Sequence, residues 1–121
     1  MNARKLSAMG LTILILAGQA APAMAGRYGG AGRHWDRVQA RSTDVYVICF
    51  RGHQQARICV FGDGDTDLDL IVYDENGNRI ESDTRLGDQC VVRFTPAWTG
   101  EFRIEVRNLG RVYNDYRLET N

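Results

Sequence analysis

Between Glu101 and Arg107 the chain alternates without a break. Phe102, Ile104 and Val106 are apolar, while Glu101, Arg103, Glu105 and Arg107 are charged. Successive side chains of an extended strand point to opposite faces, so a period of two over seven residues marks an antiparallel strand with one face buried and one in water.

Shorter stretches repeat the theme from Asp44 onward, each cut by turn chemistry. Val45 to Arg51 and Arg57 to Phe61 are rich in β-branched and aromatic residues, and the polar Gly52-His53-Gln54-Gln55 between them reads as a hairpin loop. Gly62-Asp63-Gly64-Asp65 breaks the second strand, and Leu68 to Tyr73 is the next. Asn76-Gly77 then supplies the positive φ angles of a tight hairpin, and Arg79 to Ser82 returns. Cys90 to Phe94, the alternating strand and Tyr113 to Leu118 complete the set. No helical window follows Gln39 and no repeat is visible. About seven or eight short strands at roughly 8–12-residue spacing predict an all-β antiparallel sandwich.

The N-terminus obeys other rules. Arg4 and Lys5 precede the short apolar run Leu11 to Ala17, and Ala23-Met24-Ala25 offers small residues at the two positions a signal peptidase reads. Residues 1–25 are expected to be a signal peptide cleaved after Ala25, too short in its apolar core to span ~30 Å of hydrocarbon. The product is secreted or periplasmic, with no membrane span after cleavage. Glycine-rich residues 26–40 are expected to form a flexible leader, and residues 41–121 the domain.

Without its first 25 residues the chain keeps all 15 acids but loses Arg4 and Lys5. The resulting mild negative charge disfavours nucleic acid as a partner, because phosphate binding needs a cationic face. Three cysteines, Cys49, Cys59 and Cys90, enter an oxidising compartment, so one bridge and one spare thiol is the simplest arithmetic. A hairpin pairing residues whose numbers sum to 108 sets Cys49 opposite Cys59, with Ile48–Val60 and Phe50–Ile58 on the other face. Cys59–Cys90 is the alternative.

The acids are clustered. Nine of the 15 lie between Asp63 and Asp88, and Asp63, Asp65, Asp67 and Asp69 alternate. Like charges at i, i+2 of an extended chain face the same way, ~7 Å apart, and call for a cation, an arginine or water. Leu68 falls where an EF-hand requires glycine, which excludes that loop. A looser calcium site from Asp63, Asp65, Asp67, Asp69 and Asp88 is one expectation. The other is that these acids serve turns, cap strands and solvate the surface.

Catalytic chemistry finds little support. Ser42 and Ser82 lack a glycine elbow, His34 and His53 sit in the leader and a loop, and no cationic cluster activates Cys90. The aromatics mostly complete the core, and Trp98, between Pro96 and Gly100, is the expected exposed exception.

Several pieces in order carry a family likeness: Gly62-Asp63-Gly64-Asp65-Thr66-Asp67-Leu68-Asp69-Leu70, Val72 to Asn78, Phe94 to Gly100, and Asn108-Leu109-Gly110 with Tyr113 to Leu118. This segment, Gly62 to Asn121, resembles the bacterial pre-peptidase C-terminal domain. The resemblance implies a jelly-roll-like sandwich, usually appended to secreted proteases, whose collagenase relatives bind collagen and hold calcium. Here no protease is expected ahead of the domain, and the calcium-bearing linker of those relatives has no match. The expectation is a non-catalytic module that binds a protein, a polysaccharide or another extracellular polymer.

Overall fold

The computed structural model describes the backbone of Lys5 and Leu6 and all of residues 26–121. The expected signal peptide therefore lies, but for Lys5 and Leu6, outside the described residues.

Nine strands are present: β1 (Lys5–Leu6), β2 (Gly32–Val38), β3 (Thr43–Phe50), β4 (Ala56–Phe61), β5 (Leu68–Tyr73), β6 (Arg79–Asp83), β7 (Gln89–Phe94), β8 (Gly100–Asn108) and β9 (Asn114–Thr120). They form two sheets, ordered β1-β3-β8-β5-β6 (sheet A) and β2-β9-β4-β7 (sheet B), with every neighbouring pair antiparallel. From β2 onward the chain changes sheet at every connection except β5–β6. The all-β antiparallel sandwich expected from the strand spacing is the observed architecture.

The core lies between the sheets. Phe102, Ile104 and Val106 of β8 face inward against Ile48 and Phe50 of β3, Leu70 and Val72 of β5, and Ile58 and Val60 of β4, all at most 3% exposed. Phe50, Phe94 and Phe102 meet edge-on or tilted, with centroids 5.4–6.0 Å apart. Fully burying such a side chain contributes about 1.5–3 kcal/mol, so these alternating positions are what hold the sheets together.

The β5–β6 turn follows its sequence. Gly77 has φ 84°, and Asp74 Oδ1 accepts from the backbone N–H groups of Asn76 and Asn78.

Two expectations fail. β3 and β4 do not form a hairpin: β3 pairs with β8, and β4 with β7 and β9. Gly52 N–H donates to Thr99 Oγ1 at 2.8 Å and His53 N–H to the Pro96 carbonyl at 2.8 Å. A side chain at Gly52 would lie 2.6 Å from the Trp98 carbonyl carbon. The loop is thus held against the 96–99 loop and carries the chain into the opposite sheet.

Residues 26–40 are not a loose leader either. Gly32–Val38 pairs along its whole length with β9, and Arg27 N–H donates to the Asn121 carbonyl at 2.9 Å. The inward positions of β2 are mostly polar, which hides its period of two. His34 packs edge-on against Tyr46, and Asp36 accepts from the Tyr46 hydroxyl. That hydroxyl lies 2.7 Å from Tyr116 Oη, and Tyr116 donates to the buried carboxylate of Asp44 at 2.7 Å.

Candidate binding face

The aspartates are brought close in part, but to different ends. Asp63 Oδ1 accepts from Asp65 N–H, and its Oδ2 accepts from Asp115 N–H. Asp88 Oδ2 accepts from Gly64 N–H at 2.6 Å and from the buried Asn114 amide at 2.9 Å. A Cβ on Gly62 would lie 2.2 Å from that same oxygen, so the glycine is required for the approach. Asp67 Oδ1 accepts from Gly87 N–H. Three carboxylates thus join the 62–67 loop to the 84–88 loop and the start of β9. Asp65 is exposed.

Asp69 stands apart, on the outer face of sheet A in register with Arg107. Its Oδ1 is buried without a hydrogen-bond partner. Burial, then the charge of Asp67, holds its carboxyl above the usual range. Among the described residues no three His, Cys, Asp or Glu side chains are placed to hold a metal ion.

The three cysteines are free. Cys49 lies in sheet A opposite Glu101, and Cys59 lies in sheet B opposite Val91. The register placing Cys49 across from Cys59 therefore does not exist. The alternative pair fares no better: Cys59 faces out of sheet B, while its neighbour-strand counterpart Cys90 faces in, opposite Val60. Cys90 donates its S–H to the Leu68 carbonyl at 3.2 Å. Burial, reinforced by Asp83, Asp69, Asp67 and Asp88, pushes its thiol up to about 12. Such a thiol carries almost no thiolate at neutral pH and is a poor nucleophile.

Trp98 is 41% exposed, as its loop position suggested, but its indole N–H is held by Glu75 Oε1 at 2.7 Å. It ties the β7–β8 loop to the β5–β6 turn. The sequence reading missed Trp35, which at 64% is more exposed than Trp98. The sequence groups it with the aromatics that complete the core, and the alternation of Arg33, Trp35 and Arg37 with His34 and Asp36 is the signal that places it on the outer face.

Trp35 opens onto the outer face of sheet B, and strand register builds that face in rows. Trp35, Arg117, Phe61 and Gln89 lie side by side across all four strands. Arg33, Glu119, Cys59 and Val91 form the next row, and Arg57 faces Arg93 beyond it. Arg37 pairs with Asp115 on the other side, bidentate at 2.7 and 3.1 Å. The Arg37 guanidinium also lies 3.7 Å from the Tyr113 ring, and that of Arg117 lies 4.5 Å from Phe61. Five outward arginines meet only two outward acids on these strands, Asp115 and Glu119. Glu119 already takes Arg33 at 3.1 Å and Arg117 at 2.5 Å. The face is therefore aromatic, cationic and open to solvent.

No family model matches the sequence, and no curated protein matches it. Solved structures do. The pre-peptidase C-terminal domain of a collagenase from Bacillus anthracis superposes with a TM-score of 0.61 at 16% identity, covering 85% of this chain and 100% of that one. A mitogen from Yersinia pseudotuberculosis superposes with a TM-score of 0.57 at 10% identity, covering 76% of this chain and 85% of that one. At these identities the likeness is one of fold. The fold is the sandwich that the resemblance read from Gly62 onward implies.

Proposed function

We propose that the chain is an exported, non-catalytic binding module that holds a protein or an extracellular polymer on the outer face of sheet B. The observation that carries this reading is the outer face of sheet B, where Trp35 stands 64% exposed in one row with Arg117 and the half-buried Phe61. Two rows away, Arg57 and Arg93 meet no acid among the described residues. Contiguous aromatic and arginine surface without a packing role is the composition of binding hot spots.

Export would remove the two-residue β1 from the edge of sheet A, where it pairs with Tyr46 and Val45, and keep every other strand. The expected cut after Ala25 falls one residue before hydrogen bonds that anchor the domain: Arg51 N–H to the Gly26 carbonyl and Arg27 N–H to that of Asn121. Intact-mass analysis of the exported protein should start at Gly26, and a retained Met1 would refute cleavage.

Calcium has no part in this reading. Asp63, Asp67 and Asp88 are engaged as acceptors for backbone and amide donors, Asp69 lies on another face, and the set does not converge. These residues do not fit a calcium site of six to eight oxygens. Millimolar calcium or a chelator should leave the melting temperature where it is, and a rise with calcium would reinstate the metal, since a ligand bound only by the native state stabilises it.

Trp35→Ala tests the face itself. Retention of the protein on its own envelope or matrix material should fall about tenfold or more, with stability changed by less than about 1 kcal/mol. If Trp98→Ala abolishes retention and Trp35→Ala does not, the module binds through its loop end instead.

A further inference from the structure

We propose that the partner held on sheet B is an acidic polysaccharide, with a carboxylate or sulfate group seated between Arg57 and Arg93. This deepens the binding reading above and rests on it.

Arg57 and Arg93 are direct cross-strand partners on β4 and β7, both exposed. Side chains so paired have Cβ atoms about 4.5–5.5 Å apart, and like charges there repel. Nothing in the described chain neutralises them. Cys59 and Val91 occupy the neighbouring row, and Glu119 is shared by Arg33 and Arg117. The outer face of sheet A offers a contrast. On sheet A, Arg103 and Arg107 both pair with Glu105, at 3.2 and 2.7 Å. An uncompensated arginine pair is the arrangement that two planar guanidiniums need to grip one oxyanion from both sides.

The rest of the face selects a sugar among anions. Arg33 and Arg57 line one shallow groove with Gly32 and Thr120, and a second groove runs past Trp35 and Phe61. Ring faces of Trp and Phe stack on the apolar faces of sugars, while arginines take the charges. Nucleic acid fits less well. Asp115 and Glu119 interrupt the cationic surface, and the whole chain carries no net positive charge, whereas phosphate backbones require continuous basic tracks.

Isothermal titration calorimetry of the full chain at 50 mM NaCl tests this with alginate (carboxylate), heparin (sulfate), dextran (neutral), duplex DNA and phosphatidylglycerol vesicles. At least one of the two acidic polysaccharides should bind, weakening at least about fivefold at 300 mM NaCl. Which of them binds tells carboxylate from sulfate. The Arg57→Gln/Arg93→Gln protein should bind at least about tenfold more weakly while melting no lower than the unaltered protein, because a structural role for the pair would lower its melting temperature. Dextran held as tightly as the acidic chains, and lost in Trp35→Ala, would overturn the acidic-sugar inference and leave the binding-module reading standing. DNA or vesicles held as tightly would overturn it in favour of a general polyanion or membrane surface. Undiminished binding by the double variant would show that the anion sits elsewhere. Binding to none of the five probes would overturn the acidic-sugar inference, while the binding-module reading would stand or fall separately on retention by envelope or matrix material and its loss in Trp35→Ala.

Discussion

Two charged regions of this sandwich stand in contrast. The acidic loops at one end concentrate like charge, yet Asp63, Asp67 and Asp88 each receive donors from the backbone, and two of the three receive two. The outer face of sheet B concentrates arginine, and the guanidiniums of its outermost pair meet no acid among the described residues. Charge density alone therefore does not mark a binding site. A carboxylate facing unpaired N–H groups is part of the scaffold, since a buried or half-buried donor left without an acceptor costs about 1–3 kcal/mol. A guanidinium with no acceptor in reach is free to take one from elsewhere. If the contrast is right, acid substitutions lower stability and spare binding, and arginine substitutions on sheet B do the reverse.

The largest effect should come from Asp83, which joins the two sheets. It sits at the end of β6 with its side chain 5% exposed. Its Oδ2 accepts from Val91 N–H of β7 at 2.9 Å, and Arg85 binds both oxygens at 2.9 and 2.7 Å. Asp83→Ala should cost about 3 kcal/mol, because it leaves two backbone donors, Val91 N–H and Arg85 N–H, without their acceptor, while the exposed Arg85 guanidinium turns to water. That corresponds to a melting point lower by about 12 °C or more in a domain of this size. The same residue sets an acid limit. Hydrogen bonding from Arg85, against burial, lowers its carboxyl to about 2. A depressed carboxylate stabilises above its unfolded value near 4 and loses that contribution as pH falls through about 2. Asp83 should therefore account for about 2 kcal/mol of the stability lost between pH 4 and pH 2, and the loss should be smaller by about that amount in Asp83→Ala, where the lowered Asp74 and Asp115 carboxyls still contribute. Urea unfolding at stepped pH measures both.

Asp88 should come next. Asp88→Ala releases Gly64 N–H and the buried Asn114 amide, for about 2 kcal/mol, with polysaccharide binding unchanged. A loss of binding without loss of stability would reverse the contrast, and would return the acidic loops to the role the sequence first suggested for them.

What could be read from the chain followed from how each segment reports its partner. β8 announces itself because its inward residues are apolar and its outward ones charged, so one pattern encodes both faces. The β5–β6 hairpin is local, and Asn76-Gly77 encodes it within a few residues. The β3–β4 connection is not local. Gly52-His53-Gln54-Gln55 has hairpin composition, but contacts with Pro96 and Thr99, more than 40 residues away, decide that the chain crosses to the other sheet. That crossing removed the expected Cys49–Cys59 register. β2 escaped notice because its inward side chains, His34 and Asp36, serve a hydrogen-bonded tyrosine network instead of an apolar core. With β2 went Trp35, and with Trp35 the binding face, since its rows exist only when four strands from distant parts of the chain lie side by side. The acids were conspicuous in sequence because they are consecutive; the arginines were not, because register alone assembles them.

The smallest expected effect is the most discriminating, because its sign differs between the two regions. Arg93→Gln removes one of two like charges directly opposite each other on an exposed sheet face, and it breaks no side-chain hydrogen bond to the described residues. A residue of the scaffold loses stability when truncated to a neutral isostere. A residue kept for a ligand does not, and here relief of repulsion should raise stability by about 0.2–0.5 kcal/mol at low salt. The gain should fade as salt is raised, because exposed charges are screened over about 10 Å at 0.1 M. Arg107→Gln on sheet A is the matched control: it gives up Glu105 and the Tyr73 hydroxyl, and should lose stability by a similar small amount. Urea melts of the two variants at 20 and 300 mM NaCl give four numbers. Opposite signs at low salt that converge at high salt would uphold the contrast between an answered face and an unanswered one. A loss of stability in both variants would mean that Arg93 has a structural partner on its own sheet.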